Sequence, residues 1–97
     1  MKTTTEYAEI IKRFADELRT RFGVDSLRLF GSVARNEQTE HSDVDICVEM
    51  TPNLFRRIEL KKFLENILGC PVDVVRMHSN MNHYLKQQIE KDGIVII

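Results

Sequence analysis

The hydrophobic residues of the chain follow two kinds of spacing, which together predict seven main elements. Three stretches repeat apolar residues every three or four positions, as amphipathic helices do, and four shorter stretches have the apolar content of strands. The first helix is predicted to begin at Thr3, which has capping-box spacing to Glu6, and to end at Gly23. Its apolar stripe is expected to face the core and comprises Tyr7, Ile10, Ile11, Phe14, Leu18 and Phe22.

Two further helices are predicted in the second half of the chain. The longer one is expected to begin with Thr51 as its cap and to end at Gly69. The last one is expected to follow a cap at Ser79 or Asn80 and to end before Gly93. The apolar residues of the longer helix are Phe55, Ile58, Leu60, Phe63, Leu64, Ile67 and Leu68, and those of the last helix are Met81, Leu85 and Ile89.

Four short strands complete the pattern, and a single helical turn follows the first of them. The strands are predicted at residues 26–30, 44–48, 72–75 and 94–97, and the turn at residues 33–35. The polar link 36–42 leaves no room for a long helical crossover, so the first two strands are expected to be antiparallel. The sequence therefore predicts one α+β domain over residues 1–97, with a small mixed sheet and helices packed on one face.

The last four residues, Ile94–Ile97, are all apolar. An uncovered edge strand of this kind invites aggregation, and a continuous apolar run indicates that both of its faces are covered. One face of the sheet is assigned below to a polar site, so helices cover only the other face. The strand is therefore expected either to pair within the sheet under the first helix or to be buried against another subunit. Of these we favour a strand that helps form, or lies close to, a protein–protein contact.

Composition and charge argue against several classes of protein. The 14 basic and 15 acidic residues give a net charge of −1, unlike a nucleic-acid coat or a polybasic membrane binder. No apolar run approaches the roughly 18–20 residues that span a bilayer, and the N-terminus lacks the apolar core of a signal peptide. Cys47 and Cys70 form no C-x-x-C pair and are expected to be buried free thiols. These features predict a cytoplasmic protein.

Three aspartates are candidates for the chemistry of the site. Asp43 and Asp45 lie two residues apart on a predicted strand, so both point away from the apolar face formed by Val44 and Ile46. Asp73 alternates with two valines in the same way and joins them if its strand lies beside the second one. Neighbouring carboxylates repel unless a cation lies between them, and pairs of hard oxygen ligands suit Mg²⁺. An isolated Asp-x-Asp is also typical of a solvated strand end.

A Gly31-Ser32 turn precedes the aspartates by ten residues. Glycine lets a backbone approach a phosphate closely, and a short helix that starts there aims its N–H groups at the same anion. Three carboxylates on one open face are able to hold two metals for displacement at phosphorus. The sequence thus indicates a phosphate turn beside a metal site.

The segment LFGSVAR at residues 29–35, followed by SDVDI at residues 42–46, resembles the signature of the minimal nucleotidyltransferases, a branch of the DNA polymerase β-like superfamily. The resemblance covers nearly the whole chain. Family members commonly have glycine after the arginine, where this chain has Asn36, a residue that tolerates left-handed backbone.

The resemblance implies a nucleotidyl-transfer fold, two Mg²⁺ ions and ATP as substrate. It implies that Asp43, Asp45 and Asp73 are the catalytic residues and hold the metals, and that Gly31 and Ser32 hold the β and γ phosphates. Many such proteins are antitoxins that pair with a helical HEPN toxin, and some transfer AMP to a tyrosine of that toxin. A HEPN partner in a hetero-oligomer is therefore expected.

Several alternatives remain open at this stage. Arg35 is a candidate triphosphate contact or an ordinary surface arginine. The chain is also able to neutralise a toxin by binding alone, and a transferase that acts on RNA or a small molecule is the weaker alternative. Arg56, Arg57, Lys61 and Lys62 form a basic helix face that is solvated by default or contacts a partner or RNA.

Overall fold

In the computed structural model, which describes residues 2–97, the chain folds into a four-stranded mixed sheet packed against helices. The order of elements agrees with the sequence-based prediction, and the fold class is confirmed. The elements are α1 (Thr4–Arg13), α2 (Ala15–Phe22), β1 (Val24–Phe30), α3 (Gly31–Ala34), β2 (Val44–Met50), α4 (Leu54–Leu68), β3 (Val72–Arg76), α5 (His83–Asp92) and β4 (Ile94–Val95).

The strands lie in the order β3-β2-β1-β4. β1 and β2 are antiparallel, as their short connection predicts, and β4 is antiparallel to β1. β3 is parallel to β2, and α4 makes the crossover between them. This arrangement places β3 and β4 at opposite edges of the sheet.

The main core lies between one face of the sheet and helices α1, α2 and α4. Alternate residues of β2, including Val44 and Ile46, point into it and are fully buried. A second, smaller cluster lies on the opposite face, where Ile89 of α5 packs with Phe30 and Cys47. α5 therefore covers part of the face that carries the aspartates, which adds to the predicted layer of helices a short helix on the other side.

The predicted first helix is divided in two at Phe14, so the expectation of one continuous helix is wrong. The Phe14 N–H donates to the Ile11 carbonyl three residues back at 3.0 Å, and its backbone leaves the helical region at φ −104° and ψ 15°. Its ring packs edge-on against Phe63, with 5.6 Å between the centroids. The tight turn lets Leu18 and Phe22 remain buried.

The starts of α4 and α5 differ from the predicted ones. Asn53, not Thr51, caps α4, because its side-chain oxygen accepts from the Arg56 N–H at 3.0 Å. Asn82 caps α5 in the same way, by accepting from the Leu85 N–H at 3.1 Å. Each asparagine lies two or three residues beyond the predicted cap, so each helix begins later than expected.

The apolar residues of α4 are divided between the core and solvent. Leu60, Leu64 and Leu68 are fully buried, as predicted. Phe55 is 79% exposed and Ile58 is 43% exposed, so these two members of the predicted apolar side lie in solvent. At about 100° per residue, Ile58 lies about 200° around the helix from Leu60, off the side of α4 that fills the core.

The C-terminal residues pair with β1 within the sheet, which is the first of the two alternatives that the sequence left open. β4 extends this pairing through the Ile96 N–H, which donates to the Leu27 carbonyl at 2.8 Å, and Ile96 is buried in the main core. Ile94 and Val95 are exposed, so the run is not covered on both faces within this chain. The expected protein–protein contact at this strand stays a prediction.

Two further expectations bear on the class of protein. In residues 2–97, every helix is too short or too polar to cross a membrane. Both cysteines are free; Cys47 is buried, as expected, whereas Cys70 is only half-buried.

Candidate active site

Asp45 and Asp73 are neighbours across the parallel pair of β2 and β3. Their Cα atoms are partners in the register, and both side chains point away from the main core because they alternate with buried residues. Asp43 is exposed and comes just before β2, on the same side as Asp45. The topology thus brings together three aspartates that are distant in sequence, as the alternation predicts.

Asp45 is the central aspartate of this group, and its surroundings disfavour its ionised form. Burial raises the pKa of the Asp45 carboxyl, and the negative charges of Asp73 and Asp43 raise it further. Arg35 lowers it, but this effect is the smallest of the four. The group therefore lacks enough positive charge of its own, and a cation placed between the carboxylates would relieve the repulsion.

Gly31 lies directly against Asp45. It has a left-handed backbone with φ of +70°, and a Cβ at this position would collide with Asp45 Oδ2 and lie 3.1 Å from Asp45 Cγ. Glycine is therefore required here for two reasons, the backbone conformation and the close approach. The turn and the carboxylates form one continuous site.

The Gly31-Ser32 turn opens α3 and is supported from two sides. The Glu37 N–H donates to the Ser32 carbonyl at 2.8 Å, and Asn36 supplies a left-handed residue with φ of 57°, as its tolerance of that backbone predicts. The Thr4 hydroxyl donates to the Val33 carbonyl and so ties α1 to the turn. Across residues 2–97 the Ser32 hydroxyl has no hydrogen-bond partner, which leaves it available to a ligand.

Arg35 follows α3 and is held in a small ion-pair network. Its Nε lies 3.2 Å from Glu37 Oε2, and its Nη1 lies 3.2 Å from Asp92 Oδ2 at the end of α5. The hydrogen bonds that Arg35 donates to Glu37 and Asp92 raise the pKa of its guanidinium, which stays charged. Two carboxylates therefore share the arginine that is a candidate contact for the triphosphate.

Thr4 and Asp92 are positioning residues that the sequence did not reveal. Thr4 is 29 residues from its partner Val33, and Asp92 is 57 residues from Arg35. No local motif marks either residue, since each acts only after α1 or α5 has packed beside the turn.

The carboxylate oxygens of this site fit Mg²⁺ if a second molecule supplies further oxygen ligands. Within the described part of the chain, no three His, Cys, Asp or Glu side chains lie close enough together to hold an ion unaided. Mg²⁺ is commonly bound by one or two carboxylates together with substrate phosphates. The paired aspartates offer the carboxylate half of such a site, and the Gly31-Ser32 turn adjoins them.

Comparison with known proteins agrees with this geometry. Residues 11–96 match the model of the nucleotidyltransferase domain family. The chain is 39% identical over 98 residues to the protein adenylyltransferase MntA of Thermococcus cleftensis, covering 99% of this chain and 98% of the relative. It is 42% identical over 98 residues to a candidate protein adenylyltransferase of Methanocaldococcus jannaschii, with 99% and 100% covered.

Solved structures give the same assignment. A candidate minimal nucleotidyltransferase superposes with a TM-score of 0.77 at 32% identity, covering 96% of this chain and 95% of the other. A chain of a toxin–antitoxin complex with AMP-PNP superposes with a TM-score of 0.73 at 28% identity, covering 89% and 72%. Family model, relatives and fold agree with the motif at residues 29–46, and the chain therefore belongs to the nucleotidyltransferase domain family, in the branch of minimal nucleotidyltransferases.

Proposed function

We propose that this chain is a Mg²⁺-dependent protein adenylyltransferase, which transfers AMP from ATP to a tyrosine hydroxyl of a HEPN-type toxin and so acts as an antitoxin. The observation that carries the proposal is the contact between Gly31 and Asp45, because it joins a phosphate turn to a group of carboxylates. Relatives named protein adenylyltransferases and a related toxin–antitoxin complex with AMP-PNP support the assignment. We expect the protein in the cytoplasm, where ATP is available.

Each site residue has a separate role in this proposal. Asp43, Asp45 and Asp73 would hold the metal ions, which when bound offset the charge on the phosphates and on the acceptor oxygen. The backbone at Gly31 and the free hydroxyl of Ser32 bind and orient the β and γ phosphates. Arg35 adds a permanent positive charge beside them.

The proposed reaction is a displacement at the α-phosphorus of ATP. The acceptor oxygen forms a bond to that phosphorus, the bond between the α-phosphorus and the α–β bridging oxygen breaks, and pyrophosphate leaves. Asp73, the carboxylate on the exposed edge strand, accepts the proton of the acceptor hydroxyl. The acceptor must reach this edge of the sheet, and it belongs to another protein.

Nucleotide binding tests the site independently of any acceptor. We expect ATP to bind the wild-type chain much more tightly with Mg²⁺ than without it in a calorimetric titration. The variant Asp43→Asn/Asp45→Asn should lose this metal dependence, whereas Asp25→Asn, at an exposed position near the start of β1, should keep it. Equal ATP affinity in the wild type and the double variant, with and without Mg²⁺, would contradict the proposed site.

Transfer to a partner tests the reaction itself. The chain is incubated with a HEPN-type protein, ATP and Mg²⁺, and the intact mass of the partner is measured. One or more AMP units on the partner are expected with the wild type and none with Asp43→Asn. If the Asp43→Asn/Asp45→Asn variant neutralises the toxin in cells as well as the wild type, neutralisation by binding alone replaces the catalytic account.

A further inference from the structure

The first two turns of α4 carry three large apolar side chains that the fold leaves in solvent. Leu54 is 60% exposed, and with Phe55 and Ile58 it forms a contiguous patch, since residues three and four apart are neighbours on a helix. Leu60, Leu64 and Leu68 already bury the core-facing side of α4. The patch therefore adds nothing to the core, and exposed apolar patches of this kind mark contacts with other molecules.

The charges around this patch are mostly positive, and Glu59 is the acidic residue beside it. Arg56 and Arg57 lie in the first turn of α4, which has no acidic residue, whereas α1 and α2 each begin with acidic residues. Basic residues at a helix N-terminus act against the helix dipole, so this choice disfavours the isolated helix. A local sequence that acts against its own fold is typical of a functional surface. Lys61 extends the positive region by one turn.

The patch borders the side of the active site that remains open to an acceptor. Leu54, Ile58 and Lys61 line a groove of about 200 Å³ together with Arg57 and Val74, and Asp73 lies in the same groove. β3 is an edge strand, so a second protein has access to Asp73 from this side. β4, the other exposed apolar edge, lies at the opposite end of the sheet.

We propose that Leu54, Phe55, Arg57, Ile58 and Lys61 form a docking surface for the acceptor protein. The occupant is a protein surface with an apolar centre and flanking carboxylates, which match the apolar patch and its basic border. It presents the acceptor hydroxyl to Asp73 across the exposed edge of β3. The proposal rests on the proposed function for the identity of the acceptor, and it names the surface that selects that acceptor.

Two variants test the surface without disturbing the core. Leu54→Gln/Phe55→Gln removes the apolar contact, and Arg57→Glu/Lys61→Glu reverses the charge. Val95→Gln is the matched control, since Val95 is also 60% exposed but lies on the β4 edge. The probe is a HEPN-type protein that the wild-type chain binds, and its affinity and AMP modification are measured with each variant.

Both surface variants are expected to bind the partner about tenfold or more weakly, the loss typical of a central interface contact. AMP transfer at low partner concentration should fall in proportion and recover at high partner concentration. Mg²⁺-dependent affinity for ATP alone should stay at the wild-type value, because these variants do not change the three aspartates. Val95→Gln should bind and modify the partner normally.

The possible failures are distinct. Wild-type partner affinity in both surface variants overturns the docking surface and leaves the transferase proposal intact, as does a loss confined to Val95→Gln. Binding through α4 without AMP transfer by the wild type supports the docking surface and overturns the catalytic proposal. If charge reversal abolishes binding of a labelled single-stranded RNA while partner affinity is unchanged, α4 is an RNA contact and the docking proposal fails.

Discussion

At the scale of single residues, the site depends on one position that has no room for a side chain. Gly31 and Gly69 have nearly the same left-handed backbone, with φ of +70° and +71°. A Cβ at Gly31 would collide with the Asp45 carboxylate, whereas at Gly69 the nearest atom is the flexible Lys2 Nζ at 3.7 Å. Alanine substitutions at the two glycines therefore separate the free-energy cost of the left-handed backbone from the cost of blocking the site.

We expect Gly69→Ala to lower the free energy of unfolding by about 1 kcal/mol, the backbone cost alone, and to leave ATP binding unchanged. Gly31→Ala should lose more stability and should reduce AMP transfer by about 100-fold, because Asp45 must move away from the phosphate turn. Thermal unfolding and transfer rates measure the two effects. Equal losses of activity in both variants would show that the contact with Asp45 is not important.

The ionised form of Asp45, which the proposed site needs, lowers the stability of the fold. Burial and the charges of Asp73 and Asp43 raise its pKa in the folded state, so its ionised form disfavours folding. The stability that Asp45 contributes is fully present below its unfolded pKa and is lost as the pH rises through the raised folded pKa. Asn resembles the neutral carboxyl at every pH.

Asp45→Asn is therefore expected to raise the melting temperature at pH 7, measured with a chelator present, by about 2–4 °C for this half-exposed group. The gain should disappear towards about pH 3, where the wild-type carboxyl is itself protonated. Asp25→Asn is the control at an exposed position. A lower melting temperature of Asp45→Asn at pH 7 contradicts the assigned repulsion.

The placement of the three aspartates was predictable because strand alternation is strict. Once Val44 and Ile46 are assigned to the core, Asp45 must point to the other face. The ion pair between Arg35 and Asp92 was not predictable, since it depends on where α5 packs. Charged side chains on polar stretches give no periodic signal that would fix such a partner.

At the scale of elements, the N-terminus of α4 shows that capping preferences alone allow more than one helix start. Thr51 and Asn53 are both good cap residues, and the sequence around them satisfies either choice. The structure selects Asn53, whose side-chain oxygen accepts from the Arg56 N–H. Leu60, Leu64 and Leu68 lie on the core-facing side of α4 for either start, so burial of the helix does not decide between the two caps.

The assignment of this cap is testable by two alanine substitutions. Asn53→Ala is expected to lower the free energy of unfolding by about 1 kcal/mol, because the Arg56 N–H loses its partner. Thr51→Ala should change it by less than about 0.5 kcal/mol, as expected for an exposed residue outside the helix. Urea denaturation of both variants measures the difference. A larger loss of unfolding free energy for Thr51→Ala would assign the cap to Thr51 instead.

At the scale of the whole molecule, the sheet order determines which surfaces have access to the site. The central strands β1 and β2 place the phosphate turn and the aspartates together, and β3 exposes Asp73 at one edge. Sequence patterns predicted the strands and the antiparallel first pair. They could not predict that α5 would pack on the aspartate face, because its three apolar residues fit either face equally well.

The chain end is the remaining question at this scale, since four apolar residues suggested a protein contact. Ile96 is 8% exposed and belongs to the main core, and the Leu27 N–H donates to the Ile97 carbonyl at 3.2 Å. These contacts give the terminal segment a role in stability. Ile96→Ala should therefore lower the free energy of unfolding by about 2–3 kcal/mol, the usual cost of truncating a buried isoleucine.

Val95→Ala is the matched control and should change stability by less than about 0.5 kcal/mol. Deletion of residues 94–97 should be more severe than Ile96→Ala, because it also exposes the edge of β1. Partner affinity of Ile96→Ala, measured well below its melting temperature, should remain at the wild-type value if the strand acts through folding. Unchanged stability of the deletion variant together with lost partner binding would instead assign this strand to the interface.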